Sequence, residues 1–426
     1  MKYTLLLILF LGCLNQTGTK TRVIGNKLSV DPSNGAPGYG RVFSTNPAVA
    51  AAQYGNSVSP GDNLISYISS AIFITKNSTL SGPCLDVSDC FMVYADNHTA
   101  PLTPTNAIWI YDPDTTEFLQ VNTFYHINRE IAYYLSALKA AHKNSSTNNQ
   151  GTYTSAIPST LFNDLAYWYK SDSNYTLNIF ANCPDRPDNA SFIPSQFQLC
   201  FGASPSFPGL YFSQDDSVIY HELGHVLVKT MSNARNMVSG SNVELRTDLG
   251  HMMYDESGAI NEGIADYYSY ALTGRTHFCD WACKFLEADR PIIETHPLHQ
   301  GRVARTDDAR LSYPEYLNYN VYAPTVPSED IHKAGMITSH FLVALTEELK
   351  STCSFTQDQA TSSIFYLLTE TLSEMGDLTA YGADSSSVEN VNLTRTNSNG
   401  ANVSYIWNTI VNQLTTVLFI KHSQNI

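Results

Sequence analysis

The order in which strand-like and helical patterns follow one another constrains the fold of this chain most. Short apolar runs rich in β-branched and aromatic residues lie in the first half, and helical apolar spacing dominates from residue 214 onward. Strands followed by helices predict an α+β fold rather than alternating βα units. The predicted strands are 71–74, 91–94, 107–111, 177–180 and 197–200, and the predicted helices are 127–141, 214–232, 257–273, 328–350, 358–374 and 404–420.

The length of 426 residues predicts two to three domain-sized units or one large two-lobed domain. We expect a β-rich N-terminal part over 19–235 and a mainly helical C-terminal part over 236–426. Segment 285–327 is rich in proline and has no helical period, so it is predicted to be a long surface loop or insertion.

The charge balance excludes one class of partner. The chain has 24 Lys+Arg against 39 Asp+Glu, a formal net charge of −15, and it shows no basic stripe. Binding to a phosphate backbone needs such a stripe, so nucleic acid is not an expected partner.

The N-terminus has the pattern of an export signal. Met1 and Lys2 precede an apolar run over 4–11, which is too short for a spanning helix of ~20 residues. We expect residues 1–18 to be a signal peptide, with cleavage near Thr17 or Gly18. The alternative is a lipoprotein signal ending before Cys13, with a lipid anchor on that residue. No later stretch is apolar for long enough to predict a transmembrane helix.

Cysteine spacing in an exported chain predicts disulfides. Cys84 with Cys90 and Cys183 with Cys200 are close enough in sequence to pair. Seven cysteines follow Cys13, so one thiol is expected to stay unpaired. No Cys or His pair at zinc-finger spacing accompanies the cysteines at 279 and 283, so a structural zinc site is not predicted there.

The chemistry is concentrated in the sequence His-Glu-x-x-His at 221–225. His221 and His225 are one helical turn apart and can present two imidazoles to one metal ion. Ser213 is the predicted N-cap of this helix, and Gly224 in its interior indicates a close approach of another element. A chance match occurs on the order of 0.01 times in a chain of this length, against the alternative of two ordinary core histidines.

A second motif decides which residue completes the ligand set. The spacing after His225 lacks a third histidine, whereas Glu262 and Asp266 lie on one face of a helix that is predicted to end at Gly274. Either carboxylate can bind the metal, and the other can accept a ligand histidine's free N–H. Alone, the pair would be interpreted as a solvated acidic face.

The two motifs together resemble the thermolysin-like and fungalysin-like zinc metallopeptidases, the gluzincins. The second motif, Glu-Ser-Gly-Ala-Ile-Asn-Glu-x-x-x-Asp over 256–266, is the more specific. The resemblance implies a two-lobed zincin fold, with a twisted N-terminal β-sheet lobe carrying the active-site helix and a mainly helical C-terminal lobe. It implies zinc ligation by His221, His225 and Glu262, Glu222 as the general base and Asp266 as the carboxylate behind a ligand histidine.

Weaker matches extend the resemblance to roughly residues 120–350. Asn189 and Ala190 are similar to the start of the edge strand that binds substrate backbone, and His332 to the histidine that stabilises the transition state. Tyr254 lies one position nearer Glu262 than the family's catalytic tyrosine. Three protein ligands leave a coordination position for water, which Glu222 would deprotonate for attack on a peptide bond.

Three functions stay open at this point. The first is a secreted, periplasmic or cell-surface zinc endopeptidase acting on peptide or protein substrates. The others are a catalytically idle zinc-binding surface or adhesion protein, and an exopeptidase with the cleft closed by 285–327 or by an insertion around 231–248. The family's calcium ions are compatible with the chain, but their ligands cannot be placed residue by residue.

Overall fold

A computed structural model gives the fold described here. The residues that it describes are 36–75, 80–84, 87–96, 100, 102–103, 105–146, 176–194, 196–238, 255–286, 290–291 and 331–379.

The described chain combines sheets and helices, which confirms the α+β class in general terms. The ten strands in these ranges are β1 (Ala36–Val42), β2 (Ser69–Thr75), β3 (Ser81–Cys84), β4 (Val87–Tyr94), β5 (Ile108–Trp109), β6 (Leu177–Phe180), β7 (Ala190–Ile193), β8 (Gln198–Phe201), β9 (His277–Phe278) and β10 (Arg290–Pro291). The six α-helices in these ranges are α1 (Pro47–Ala52), α2 (Thr116–Ser146), α3 (Asp216–Val238), α4 (Asp255–Thr273), α5 (Ile331–Cys353) and α6 (Gln357–Thr379).

The strands form three groups. A five-stranded sheet has the order β3-β4-β6-β8-β7, with parallel pairing at its centre and antiparallel pairing at both edges. A three-stranded sheet has the order β2-β1-β5, and β9 pairs with β10. Within the described ranges β7 pairs only with β8, so it is an edge strand that also contacts α3.

All five predicted strands coincide with observed ones, whereas β1, β3, β9 and β10 were not predicted. The longest of the missed strands, β1, has a sequence that is unusual for a strand. It contains Gly38 and Gly40, and glycine weakens the strand signal. The packing explains the glycines, because a Cβ at Gly40 would lie 2.9 Å from the ring of Phe73. The strand therefore uses small residues to bring its backbone against the rings of Phe73 and Trp109.

Helix α2 begins eleven residues before its predicted start at residue 127. Buried polar residues hide the helical period in this first part, among them Asn122 and His126. Asn122 accepts a hydrogen bond from the Phe43 backbone N–H at 2.9 Å and donates to the Ser213 carbonyl at 2.8 Å. The side chains are buried because they join α2 to other segments, which a periodicity argument does not detect.

The helices pack around α3 and share one hydrophobic core with the sheets. Helix α4 contacts both α3 and α5, and α6 packs on α3 and α5. The predicted helices at 257–273, 328–350 and 358–374 match α4, α5 and α6 within five residues at each end. The predicted helix at 404–420 and nearly all of the loop at 285–327 lie outside the described residues. In the part of the chain that the structure describes, no helix is long and apolar enough to cross a membrane.

Two disulfides join cysteines of the described chain. The predicted bond between Cys183 and Cys200 is present, and a second bond joins Cys279 to Cys283, which spacing had not predicted. Cys353 is also disulfide-bonded.

No cysteine among the described residues is free, so the thiol that was expected to stay unpaired is not one of these five. The side chains of Cys84 and Cys90 and all of Cys13 lie outside the described part of the chain.

Candidate metal centre

The helix that carries the first motif is capped by Asp215, not by Ser213 as predicted. The Asp215 Oδ1 accepts hydrogen bonds from the Ser217 backbone N–H at 3.1 Å and from the Ser217 hydroxyl at 2.7 Å. The hydroxyl of Ser213 is buried without a hydrogen bond, because residues 212–214 form a separate 3-10 turn before the helix. The N-terminus of α3 therefore has an acidic cap, as favoured by the helix dipole.

A buried ion pair holds the first residue of α3. Asp216 accepts two hydrogen bonds from the guanidinium of Arg275, at 2.6 and 3.0 Å, and one from the Asn46 backbone N–H at 3.0 Å. Burial alone would raise the pKa of Asp216, but the charge and hydrogen bonds of Arg275 lower it. Asp216 is therefore ionised and links the start of α3 to the N-terminal segment and to the end of α4.

Glycines bring the three helices of the site close together. A Cβ at Gly224 of α3 would lie 3.0 Å from the Ala265 Cα of α4, which explains the interior glycine as the sequence predicted. A Cβ at Gly263 would overlap the Gly335 carbonyl oxygen, and one at Gly335 would lie 2.9 Å from the Glu262 Cβ. Helix α5 therefore crosses α4 directly beside Glu262, and Gly274 ends α4 with a φ of +68°, as predicted.

His221, His225 and Glu262 form a buried cluster whose ligand atoms all lie within 4.8 Å of one another. The Nε2 atoms of the two histidines are 3.1 Å apart. Glu262 places Oε2 at 3.2 Å from the His221 Nε2 and Oε1 at 3.7 Å from the His225 Nε2. Three side chains from two helices thus converge on one point, as the two motifs predicted.

Each histidine of the cluster has an oxygen beside its other ring nitrogen, as an ion-pair contact for His221 and as a hydrogen bond for His225. The His221 Nδ1 lies 2.9 Å from the Asp266 Oδ1, and the His225 Nδ1 lies 3.0 Å from the Asn261 Oδ1. Because these oxygens can only accept, both Nδ1 atoms carry the donated proton. The lone pair that can bind a metal is therefore on Nε2 in both residues, and both Nε2 atoms face the cluster.

The carboxylates set the charge of the cluster. Burial would lower the pKa of His221, but the hydrogen bonds and charges of Asp266 and Glu262 outweigh burial and raise it to about 9. Burial would raise the pKa of Glu262, but the charges of His332, His225 and His221 hold it well below its usual range. The site is therefore built to hold positive charge between ionised carboxylates.

The other residues predicted for the site are Glu222, His332 and Tyr254. Glu222 follows His221 on α3 and is 7% exposed. His332 lies in the first turn of α5, is half exposed, and has its Nε2 3.6 Å from the Glu262 Oε1. Tyr254 lies outside the described residues.

A strand, β7, lies where the resemblance implies the edge strand. Ala190 is its first residue, and the exposed Asn189 immediately precedes it. The Asn189 carbonyl accepts a hydrogen bond from Gly202 at 2.9 Å, and Ala190 is paired with Phe201 of β8. The strand thus has one side bound to the sheet and contacts α3.

Two residues at the cluster were not singled out from the sequence. Asn261 lies within the second motif directly before Glu262, so its position was a signal, but its contact with His225 depends on how α3 and α4 cross. Phe278 packs on the His221 ring with the ring centroids 4.6 Å apart. No local pattern marks Phe278, because the contact is made across 57 residues of sequence.

No protein-family model matches the chain. No curated protein matches it either.

Proposed function

We propose that the protein is an exported zinc-dependent peptidase, most consistent with an endopeptidase, built on a two-lobed thermolysin-like zincin arrangement. The observation that supports the proposal is the cluster of His221, His225 and Glu262, in which Asp266 and Asn261 lie beside the Nδ1 atoms and the Nε2 atoms face one another. Metal-binding histidines almost always donate their other N–H in this way. An ordinary pair of core histidines does not require this arrangement.

The donor set fits zinc in both chemistry and spacing. Two imidazoles and one carboxylate are a ligand set of catalytic zinc sites. Zinc–ligand bonds of ~2.0–2.1 Å at tetrahedral angles place ligand atoms roughly 3.3 Å apart. The two Nε2 atoms are 3.1 Å apart, close to that value. The nearest Glu262 oxygen is Oε2 at 3.2 Å for His221 and the other oxygen, Oε1, at 3.7 Å for His225, so the carboxylate faces both histidines. Three protein ligands complete neither a tetrahedral nor a larger shell, which favours a catalytic over a structural ion.

The residues around the cluster supply the other parts of peptide hydrolysis. Zinc, when bound, acts as a Lewis acid that makes water more acidic and polarises a carbonyl group. Glu222, next to the ligand His221, takes the proton from the attacking water and passes it to the leaving amine. Asp266 keeps the His221 ring in the orientation and tautomer that ligation needs.

The substrate is an extended peptide. On the side of β7 that no described strand pairs with, a peptide can add as a strand, starting near Asn189 and Ala190. His332 lies beside Glu262 with its ring half exposed, so it can donate a hydrogen bond to an oxyanion that forms at the cluster. Tyr254 is proposed as a second donor on the basis of the resemblance alone.

The cysteine pattern supports export. The described cysteines are disulfide-bonded, which is typical of secreted, periplasmic and cell-surface proteins. We therefore propose removal of the signal over 1–18, or, as the alternative, a lipid anchor on Cys13. The resemblance also implies calcium ions, to which no residue of this chain is assigned.

The most informative test is the wild-type protein against a broad peptide library, with zinc content measured in the same preparation. We expect one zinc per chain and cleavage at internal bonds. A chelator is expected to abolish cleavage, and added zinc to restore it. Removal of single terminal residues would indicate the exopeptidase. A zinc-loaded protein that cleaves nothing would contradict the peptidase and favour the idle zinc-binding protein.

A further inference from the structure

A short disulfide-closed loop lies against one of the proposed zinc ligands. Phe278, in β9, has its ring tilted by 43° to the His221 imidazole at a centroid distance of 4.6 Å. Both side chains are buried, with Phe278 5% and His221 3% exposed. The Phe278 ring is therefore packed against the His221 ring. The orientation of the His221 ring determines where its Nε2 lone pair points.

The loop that holds Phe278 is bonded to the same helix as His221. The Cys279 backbone N–H donates to the Ser217 hydroxyl at 2.9 Å. Ser217 lies four residues before His221, so the two are neighbours on one face of α3. The backbone N–H groups of Trp281 and Ala282 donate to the Asp215 Oδ2 at 2.9 and 3.0 Å.

The disulfide between Cys279 and Cys283 closes this loop directly after Phe278. Both cysteines are buried, and the Cys283 backbone N–H donates to the Cys279 carbonyl at 3.1 Å. On its other side Phe278 is paired with Arg290 of β10. Residues on both sides of Phe278 are therefore fixed. Two of the bonds run to Asp215, the cap of α3, and one runs to Ser217 in its first turn.

We propose that Phe278 is a positioning residue for the zinc ligand His221 and that the Cys279–Cys283 loop holds it in place. The inference rests on the proposed zinc centre. Asp266 contacts His221 at one ring atom, at 2.9 Å, and a contact at a single atom leaves the ring plane free to rock. The ring of Phe278 removes this freedom by occupying one face of the imidazole, and it keeps water off that face.

The test is zinc affinity, measured by competition with a chelator on the full chain. Phe278→Leu keeps an apolar side chain but removes the ring, and we expect its zinc dissociation constant to rise about tenfold, the lower end of the effect for residues that orient metal ligands. Phe278→Tyr keeps the ring and is expected to restore an affinity close to the wild type.

Phe365→Leu is the matched control. Phe365 is 1% exposed and packs on Tyr134 and Tyr268, which are not part of the cluster. We expect it to lower the free energy of unfolding as Phe278→Leu does, without changing zinc affinity. Equal affinity of Phe278→Leu and wild type, or equal weakening by Phe365→Leu, would overturn the positioning role.

A second comparison tests the loop. Replacing Cys279 and Cys283 together by serine is expected to weaken zinc binding in the same direction as Phe278→Leu. The same double replacement at Cys183 and Cys200 is expected to leave it unchanged. Unchanged binding in the Cys279 and Cys283 variant would overturn the role of the disulfide. A wild-type protein without zinc affinity would instead overturn the proposed function, and this inference with it.

Discussion

At the residue scale, His126 shows how a polar group is stabilised in the core. The His126 Nε2 lies 2.9 Å from the Phe43 carbonyl, to which it must donate, so its Nδ1 accepts from the Tyr220 hydroxyl at 2.7 Å. Burial lowers the pKa of His126 to about 4, with Arg129 lowering it further and Asp216 opposing. The imidazole is therefore neutral, and it connects α2 to Tyr220, the residue next to His221.

His126 is expected to make stability depend on pH. In the unfolded chain a histidine takes up its proton near pH 6.5, whereas folded His126 does so only near pH 4. The unfolded state binds more protons between these values, so the stabilisation is complete above about pH 6.5 and is lost as the pH falls toward 4.

The measurement compares denaturant unfolding of wild type and His126→Gln at several pH values. Glutamine can donate and accept hydrogen bonds but does not titrate. The stability advantage of wild type is expected to shrink by up to about 1.4 kcal/mol per pH unit below 6.5. Other titrations are common to both proteins and cancel in the difference. An advantage that is constant from pH 7.5 to 4.5 would show that His126 is not buried as a neutral ring.

Site residues could be predicted from the sequence where the contact lies within one helix. His221 with His225, and Glu262 with Asp266, are four residues apart, and helical geometry places each pair on one face. The contact of Asn261 with His225 and that of Phe278 with His221 join separate elements. Such contacts depend on helix crossing and loop path, which no local spacing records.

At the element scale, glycine contacts between helices set the distances within the site. Gly263 of α4 and Gly335 of α5 face each other beside Glu262. Their lack of side chains lets the two backbones approach, and this brings the first turn of α5, with His332, next to the Glu262 carboxylate.

Gly263→Ala is expected to separate α4 from α5. In an exposed helix interior the change from glycine to alanine stabilises the helix by about 1 kcal/mol. Here the added methyl group overlaps the Gly335 carbonyl. We expect the free energy of unfolding to fall by about 1–3 kcal/mol, as for other overpacked cores, and peptide hydrolysis to fall with it.

Denaturant unfolding and a hydrolysis assay check this, with Gly224→Ala as the control. The Cβ at Gly224 would meet Ala265 at 3.0 Å, a milder contact, so its effect is expected to be smaller. A Gly263→Ala protein more stable than wild type would contradict the close crossing of α4 and α5.

Element boundaries were predictable where apolar spacing is regular and missed where buried polar groups interrupt it. The early start of α2 at Thr116 and the Asp215 cap are both of this kind. In each case the buried polar side chains, such as Asn122 and Asp215, bond to segments distant in sequence. Their burial depends on a tertiary partner, so it could not be inferred from the residue's own neighbourhood.

At the scale of the whole molecule, the strands-then-helices order predicted the α+β class but not the strand order. Strand β7 is at the sheet edge although β8 follows it in sequence and lies inside the sheet. Local sequence patterns predict where strands form. The order of the strands in the sheet depends on pairing between residues that are distant in sequence. The assignment of β7 to a substrate edge came from the resemblance of Asn189 and Ala190, and not from periodicity.

We propose that the protein, with zinc bound by His221, His225 and Glu262, hydrolyses peptides with Glu222 as the general base. The most direct measurement is zinc content and peptide hydrolysis of Glu222→Gln beside wild type. Glu347→Gln is the matched control, because Glu347 is exposed and lies about 22 Å along α5 from His332. We expect near one zinc per chain in all three proteins, with hydrolysis lost by roughly 10²–10⁴-fold or more only in Glu222→Gln. Wild-type hydrolysis by zinc-loaded Glu222→Gln would rule out Glu222 as the general base.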